Sequence, residues 1–429
     1  MTALQLPFTK EQRSNFYHLY ADILWWGILG GSSISFVGIF ATRVGATSFQ
    51  LGLLSAGPAV INLFLSLPAG RWLESRPIVR TAFITSILNR AGYLPLVFLP
   101  LVVSAQFQIW SLIILTLAMA IPAVALGIAF NAMFADLVQP DQRAQVVGRR
   151  NALVALSLTV TSLLSGQILD RVAYPLNYQI VFSLGVIGGA VSCYHIGRLR
   201  LTQPVPPRIG RPLMDMARPG SLRLNPGLRF SAGLRFLARS GGRDLLRLDL
   251  LRGPFGKFIL AYLAFYTMQY LPVPLFPIFF VDELNLTDGT ISLGTALFHF
   301  AMLLTSMLLA RLSIRWGYRR LLLVAAGAYS VYPIMNGATS SVNVYLLASV
   351  LGGASWGILG GSLLNLLMDR VPAGDRPAHM ALHNLALNLG ILLGSFSGPL
   401  VNDLIGLRPA LITSGGLRIL VTALLMLWT

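Results

Sequence analysis
Charge is what this chain has least of. Asp, Glu, Lys and Arg make up 11% of its 429 residues, whereas 55% are hydrophobic and the mean hydropathy is +0.70. An average soluble domain carries about 25% charged residues, so an ordinary water-soluble globule is excluded. Cysteine is nearly absent as well: the single thiol, Cys193, rules out a disulfide framework. A Gly-rich phosphate loop ending in Lys-Ser/Thr is missing, as are hydrolase and kinase motifs, so neither ATP-driven work nor an enzyme is expected. His379 and His383 stand four apart, a spacing that metals can use, but no acid is placed beside them. Neither a metal nor a cofactor is expected. Residues 1–17 mix Lys10, Glu11 and Arg13 with no cleavage signature after an apolar run, so the first hydrophobic helix is expected to be retained.

Long apolar runs fill the space that charge leaves. A hydrocarbon core of about 30 Å takes about 20 residues of helix. Twelve such stretches lie near 18–42, 50–72, 79–103, 107–138, 144–170, 177–197, 255–281, 289–314, 318–338, 342–369, 377–403 and 408–428. The expected fold class is an all-α membrane protein with twelve transmembrane helices.

One segment occurs twice. Gly127, Asp136, Val138, Arg143 and Asn151 recur as Gly360, Asp369, Val371, Arg376 and Asn384, each pair at an offset of 233 residues. Asp, Arg and Asn are scarce in so apolar a chain, and a shared offset for all three is not chance. Each copy reads as a hydrophobic helix, a short polar turn and a second hydrophobic helix. A unit repeated in the same direction at half the chain length marks two parallel membrane repeats. The expected organisation is a six-helix bundle over 1–198, a cytoplasmic basic linker over 199–254 and a second, pseudo-symmetric six-helix bundle over 255–429.

Basic residues outnumber acidic ones 32 to 15, and their placement orients the chain. With the N-terminus inside, 27 of the Lys and Arg face the cytoplasm, three lie outside (Arg43, Arg171, Arg408) and two fall within helices (Arg90, Arg418). The positive-inside bias therefore puts both termini in the cytoplasm of a plasma or inner membrane. The linker is rich in Pro and Arg, and Arg235, Arg239, Arg243 and Arg247 share one face of any helix formed there. That face is expected to rest on the anionic cytoplasmic leaflet. Base-reading and aromatic groups are missing from it, so no nucleic-acid partner is expected, and the protein is expected to be a monomer.

After the second helix the chain reads "PAGRWLESRPIVR", and its counterpart 240 residues on reads "LARLSIRWGYRR", with Arg71 against Arg311 and Leu51 against Ile291. Together with twelve helices, duplicated halves and a long central loop, these segments make the chain resemble the major facilitator superfamily. That family's loop between helices 2 and 3 reads Gly-x-Leu-Ala-Asp-Arg-x-Gly-Arg-Arg. Gly70 and Arg80 fit it, Glu74 replaces the Asp, and Pro77 stands where Gly is expected. In the second copy Arg315, Gly317 and Arg319 match, while Ile314 replaces the acid. The resemblance spans the whole chain and reaches only the superfamily. It implies that helices 1, 4, 7 and 10 line a central site, exposed alternately to each side as one half rocks on the other. Helix 5 ends in "SGQILD" and lacks the Gly-Pro-x-x-Gly-Gly pattern of many proton-coupled drug exporters.

Polar residues at depth are the candidate machinery. Trp25, Tyr266, Gln269, Trp356 and Asn388 are the candidate substrate contacts. Helix 7 is interrupted by Pro272, Pro274 and Pro277, and broken backbone at membrane depth is tolerated where it lines a cavity or packs on protein. Asp22 and His299 are candidate proton-coupling groups, each with a plainer reading, as a helix-end cap and as a neutral buried histidine. Arg90 joins them: a guanidinium at that depth costs roughly 2.5–3.5 kcal/mol and must find a partner, either an ion pair that locks the fold or an anionic ligand. Arg418 poses the same choice. Arg71, Glu74, Asp136, Arg143, Arg311, Arg315, Asp369 and Arg376 form the expected cytoplasmic gate, a charge cluster that closes in one conformation and opens in the other.

The function expected from these readings is secondary active transport of a small organic solute by alternating access. Proton-coupled export of an uncharged or amphiphilic compound suits the aromatic faces and neutral amides near the midplane, with a proton or sodium gradient as the energy source. An uptake symporter for a sugar or small organic acid, with Arg90 as the anion partner, is one alternative. A non-transporting sensor or assembly protein is another, suggested by Ile314 in place of the loop acid.

Overall fold
The computed structural model describes residues 10–74, 76–139, 142–201, 248–371 and 376–428, and all regular structure among them is helical. Twelve membrane-spanning helices form two pseudo-symmetric bundles of six. The first holds α1 (Lys10–Arg43), α2 (Ser48–Glu74), α3 (Ile78–Leu101), α4 (Ala105–Leu137), α5 (Arg143–Arg171) and α6 (Leu176–Gly197). The second holds α7 (Phe255–Glu283), α8 (288–316), α9 (318–338), α10 (Val342–Arg370), α11 (Arg376–Ile405) and α12 (Leu407–Trp428). Helices α8 and α9 run on from one another across Gly317, whose φ of 72° and ψ of 157° turn the chain back. Only glycine enters that region without a steric penalty, so one residue replaces a loop. The Arg-rich segment Arg235–Arg247 lies outside the described residues.

The start of α1 and the last turn of α12 lie at one end of the molecule, the terminal end; the other is the distal end. Neither α1 nor α7, the first helix of each bundle, is continuous. A wide turn over Gly30–Ile34 interrupts α1, and the hydroxyls of Ser32 and Ser35 return hydrogen bonds to the carbonyls of Ile28 (2.6 Å) and Gly30 (2.8 Å). Helix α7 breaks after Tyr270, where Pro272 and Pro274 remove backbone donors. The two breaks coincide at the repeat offset of 240 residues, so each half carries its irregular backbone at the same depth.

Small residues let the helices approach. A Cβ on Gly353 of α10 would stand 2.0 Å from the Phe298 carbonyl oxygen of α8, and one on Gly394 of α11 would stand 2.4 Å from the Thr267 carbonyl oxygen of α7. Such backbone-to-backbone contact is the usual way membrane helices associate, because lipid gives no hydrophobic drive between them. The halves meet along two seams, α2 with α11 and α5 with α8. Gly52 lies against the Ser395 carbonyl in the first, and Gly166 against Ser292 and Gly289 in the second.

The apolar core is shared at one end and divided at the other. At the distal end Phe36, Phe40, Leu51 and Phe182 of the first half pack in one cluster with Leu275, Phe279, Ile291 and Tyr345 of the second. Towards the terminal end there are two clusters. One is built on Leu19, Met133, Phe134 and Val147, joined by Ala381 of α11, and the other on Tyr262, Phe265, Leu322 and Leu367. The bundles are thus bound together distally and keep separate interiors near the termini.

Opposite effects are expected from alanine at two helical glycines. Gly353→Ala forces a methyl into backbone and should lower stability by about 1–3 kcal/mol. Gly327→Ala, whose Cβ meets nothing within 4 Å, should raise it by about 0.5–1 kcal/mol. Melting midpoints of the two variants in detergent check the signs.

Candidate functional site
In the first half, side chains from three helices converge on one carboxylate of a fourth. Asp22 of α1 is 3% exposed. Arg150 of α5 donates from Nη2 to its Oδ2 at 3.2 Å, and Ser192 of α6 donates to its Oδ1 at 2.5 Å. Arg90 of α3 donates to the Ser192 hydroxyl at 2.9 Å and has Nη2 3.7 Å from Asp22 Oδ1. Ser192 therefore relays between the second guanidinium and the acid. Arg150 also donates to the Leu19 carbonyl and lies 5.0 Å over the Phe130 ring of α4. Each charge has charge-assisted partners, without which burial at this depth would be prohibitive. Two guanidiniums nevertheless face one carboxylate, so the network keeps an unbalanced positive charge. One turn nearer the termini on the same two helices, His18 and His195 face each other with Nδ1 atoms 2.8 Å apart.

The second half answers with neutral groups. Tyr262 stands at the 240-residue offset from Asp22, and His383 at the 233-residue offset from Arg150. Where the first half has an ion pair, the second has two rings with centroids 5.6 Å apart. His383 Nε2 is 2.9 Å from the Tyr266 hydroxyl, and Tyr262 donates to the Leu363 carbonyl at 2.8 Å. Within α11, Asn388 donates to the backbone and side-chain oxygens of Asn384, both at 2.9 Å. Gln269 Oε1 and His383 Nδ1 are buried without a protein partner among the described residues. Such atoms are rare in folded proteins and call for a functional account.

The other expected residues fall elsewhere. Trp25 is half-buried, with its carbonyl against Gly188 of α6. Trp356 packs on Tyr329 of α9, ring centroids 5.4 Å apart, within the second bundle. His299 bonds through Nδ1 to the Thr295 carbonyl of its own helix at 2.9 Å. Tyr266, Gln269 and Asn388 share the α7–α11 region, and Asp22 is brought together with Arg90. At the terminal end Arg143 donates to the carbonyls of Val138 (2.9 Å) and Ala135 (2.6 Å), holding the last turn of α4. Arg71, Arg311, Arg315 and Asp369 are exposed there, and Asp136 is half-buried. The side chains of Glu74 and Arg376 lie outside the described residues.

At the distal end the halves are latched by charge. Arg43 of α1 donates to Asp288 Oδ1 from Nη2 (3.0 Å) and Nε (3.2 Å) and to the Leu286 carbonyl (2.6 Å). Tyr178 of α6 donates to Asp288 Oδ2 at 3.0 Å. Asp170, at the end of α5, accepts from the Gly289 amide (2.9 Å) and the Thr287 hydroxyl (3.0 Å). An acid from one half thus caps the N-terminus of α8 in the other, where the helix dipole favours negative charge. Its counterpart is self-sufficient: at the start of α2, Thr47 and Gln50 form a reciprocal capping box, with Gln50 Oε1 accepting from the Thr47 amide at 2.9 Å. In α8 the equivalent positions are Thr287 and Thr290, which lack that amide side chain.

The family model for the Major Facilitator Superfamily matches residues 26–241 and 258–429. The chain belongs to this superfamily. Its fold is similar to that of a human organic anion transporter, with TM-score 0.63 and 16% identity over 97% of this chain and 100% of the other. It is similar as well to a bacterial homologue of the human lysosomal transporter Spinster, with TM-score 0.66 and 14% identity over 98% of each chain. A proton:xylose symporter shares the fold at TM-score 0.59 and 14% identity, over 96% of this chain and 94% of the other. No curated protein matches the chain in sequence.

As a superfamily member the chain holds groups that sequence reading passed over. Arg150 stands beside Arg149 near the start of α5 and reads there as loop charge. Ser192 carries no signal at all. The distal latch had one: Asp170 and Asp403 share the 233-residue offset, and Thr47 and Thr287 the 240-residue offset.

Asp22→Asn leaves two buried guanidiniums without their counter-charge and should destabilise the protein by about 3–5 kcal/mol, read as a lowered melting midpoint. Asp170→Ala should loosen the distal seam instead. In a Cys193→Ser background, a thiol introduced by Ser292→Cys lies under Gly166, and Asp170→Ala should speed its maleimide labelling about tenfold or more, the equivalent of about 1.4 kcal/mol.

Proposed function
We propose that the chain is a secondary active transporter that exports a small organic solute by alternating access, driven by proton exchange at Asp22. The observation that carries this reading is the buried carboxylate shared by Arg150 and the Arg90–Ser192 pair. Ionised, Asp22 ties α1 to α5 and α6. Protonated, it leaves two buried cations and slackens those ties. A proton thereby supplies the differential free energy between conformations that coupling requires. The facing histidines His18 and His195 lie between Asp22 and the terminal end, on the side through which the proton would leave for the cytoplasm. With both termini cytoplasmic, the charge latch of Arg43, Asp170 and Asp288 closes the outer end, and the solute is loaded from the cytoplasm. Tyr266, Gln269, His383 and Asn388 form the solute-facing set of the second half, neutral groups suited to an uncharged or amphiphilic compound.

A second reading has its own support. Two guanidiniums against one carboxylate favour an anionic solute, and the fold is similar to that of an organic anion transporter. Uptake of a small organic acid with Arg150 and Arg90 as its counter-charges would use that surplus.

Thermal stabilisation of the purified protein across neutral amphiphiles, sugars and small carboxylates separates the two, because a ligand at 100 times its Kd adds about 2.7 kcal/mol. The export reading expects neutral amphiphiles to stabilise, and their pH-driven flux in vesicles to vanish in Asp22→Asn while solute exchange persists. Stabilisation confined to carboxylates and lost in Arg150→Lys would replace it with the second reading. No stabilisation and no flux with any class would sink both.

A further inference from the structure
Among the described residues Arg418 of α12 is the largest fully buried side chain, at 1% exposure, and no Asp or Glu among them lies within ion-pair distance of it. Its partners are backbone oxygens. Nη1 donates to the carbonyl of Tyr329 at 3.1 Å, and Nη2 donates to those of Met268 (3.4 Å) and Gln269 (3.3 Å). The guanidinium also lies 4.7 Å over the Tyr329 ring.

These carbonyls are not arbitrary. In an α-helix a carbonyl is satisfied by the amide four residues ahead. Four residues after Met268 comes Pro272, and four after Tyr329 comes Pro333, neither of which has an amide hydrogen. Four after Gln269 comes Val273, whose amide is diverted to the Tyr270 carbonyl at 3.3 Å by the same break. All three oxygens have thus lost their ordinary donor. Orphaned backbone is costly at membrane depth unless another group supplies the bond. Arg418 offers a planar fork of donors, the geometry best suited to reach several acceptors at once.

We propose that Arg418 is a positioning residue that substitutes for the amide donors missing at Pro272 and Pro333. One side chain on α12 ties the break in α7 to the proline site in α9. It fixes the register of the segment that carries Tyr266 and Gln269, so these three helices move as one body when the halves rock. The inference needs no particular solute and stands whether or not the proposed direction or coupling is right.

Restoring the missing amides tests it. Arg418→Met, Pro272→Ala with Pro333→Ala, and the triple variant are compared with the parent by melting midpoint and by yield of monodisperse protein in detergent. Arg418→Met is expected to lower the midpoint by roughly 5 °C or more. The two alanines should recover at least half of that loss in the Met background, while gaining little in the parent, where the carbonyls already have donors. Arg418→Lys, which keeps three donors, should retain most of the stability. If Arg418→Met alone yields no folded protein, its appearance in the triple variant supports the proposal and continued absence overturns it. Alanines that act equally in both backgrounds overturn it too, since the arginine and the prolines would then be uncoupled.

Discussion
A bilayer interior neither gives nor takes a hydrogen bond, and the breaks within the spanning helices of this fold are shaped by that constraint. A transporter needs helices that bend, and a bend releases backbone groups that water would satisfy elsewhere. Here the protein satisfies them itself. Serine hydroxyls bond to backbone carbonyls around the wide turn in α1, and a guanidinium serves carbonyls beside the break in α7 and at the proline site of α9. Pairing serves the buried charges in the same way. Asp22 is buried because two guanidiniums accompany it, and a serine hydroxyl sits between it and the farther one.

The two halves solve one architectural problem with different chemistry. Duplication set α1 against α5 and α7 against α11 in the same relation. The first pair kept an acid and a base, and the second holds a tyrosine and a histidine at the corresponding positions. The first half thereby buries charge, and the second presents neutral hydrogen-bonding groups. Under the proposed function, the first bundle would answer to the driving ion and the second would hold the cargo.

Much of the architecture was legible in the residues. Runs of about twenty apolar residues mark helices because lipid demands them, and repeated Asp, Arg and Asn at one offset mark the duplication. The prolines of α7 stood out because each lacks the amide that ordinary helix uses, and Gly317 because it matches the superfamily's loop. The site was only half legible. Asp22 and Arg90 are conspicuous as charges in apolar surroundings, so each could be singled out, but nothing in the sequence says that they meet. That depends on the packing of α1, α3 and α6, with Ser192 as the go-between. Arg150 looked like one more cytoplasmic arginine because depth along α5 cannot be judged from its neighbours. Trp356 drew notice as an aromatic at mid-depth, yet its ring packs on Tyr329, an arrangement set by the α9–α10 contact.

The unequal capping of α2 and α8 has a mechanical consequence. Helix α2 completes its first turn with its own Thr47 and Gln50, so sliding against α11 breaks none of those bonds. Helix α8 borrows Asp170 across the boundary, so parting from α5 leaves an amide bare until water reaches it. Of two seams made from one duplicated plan, the former is free to serve as the hinge of a door and the latter as its lock.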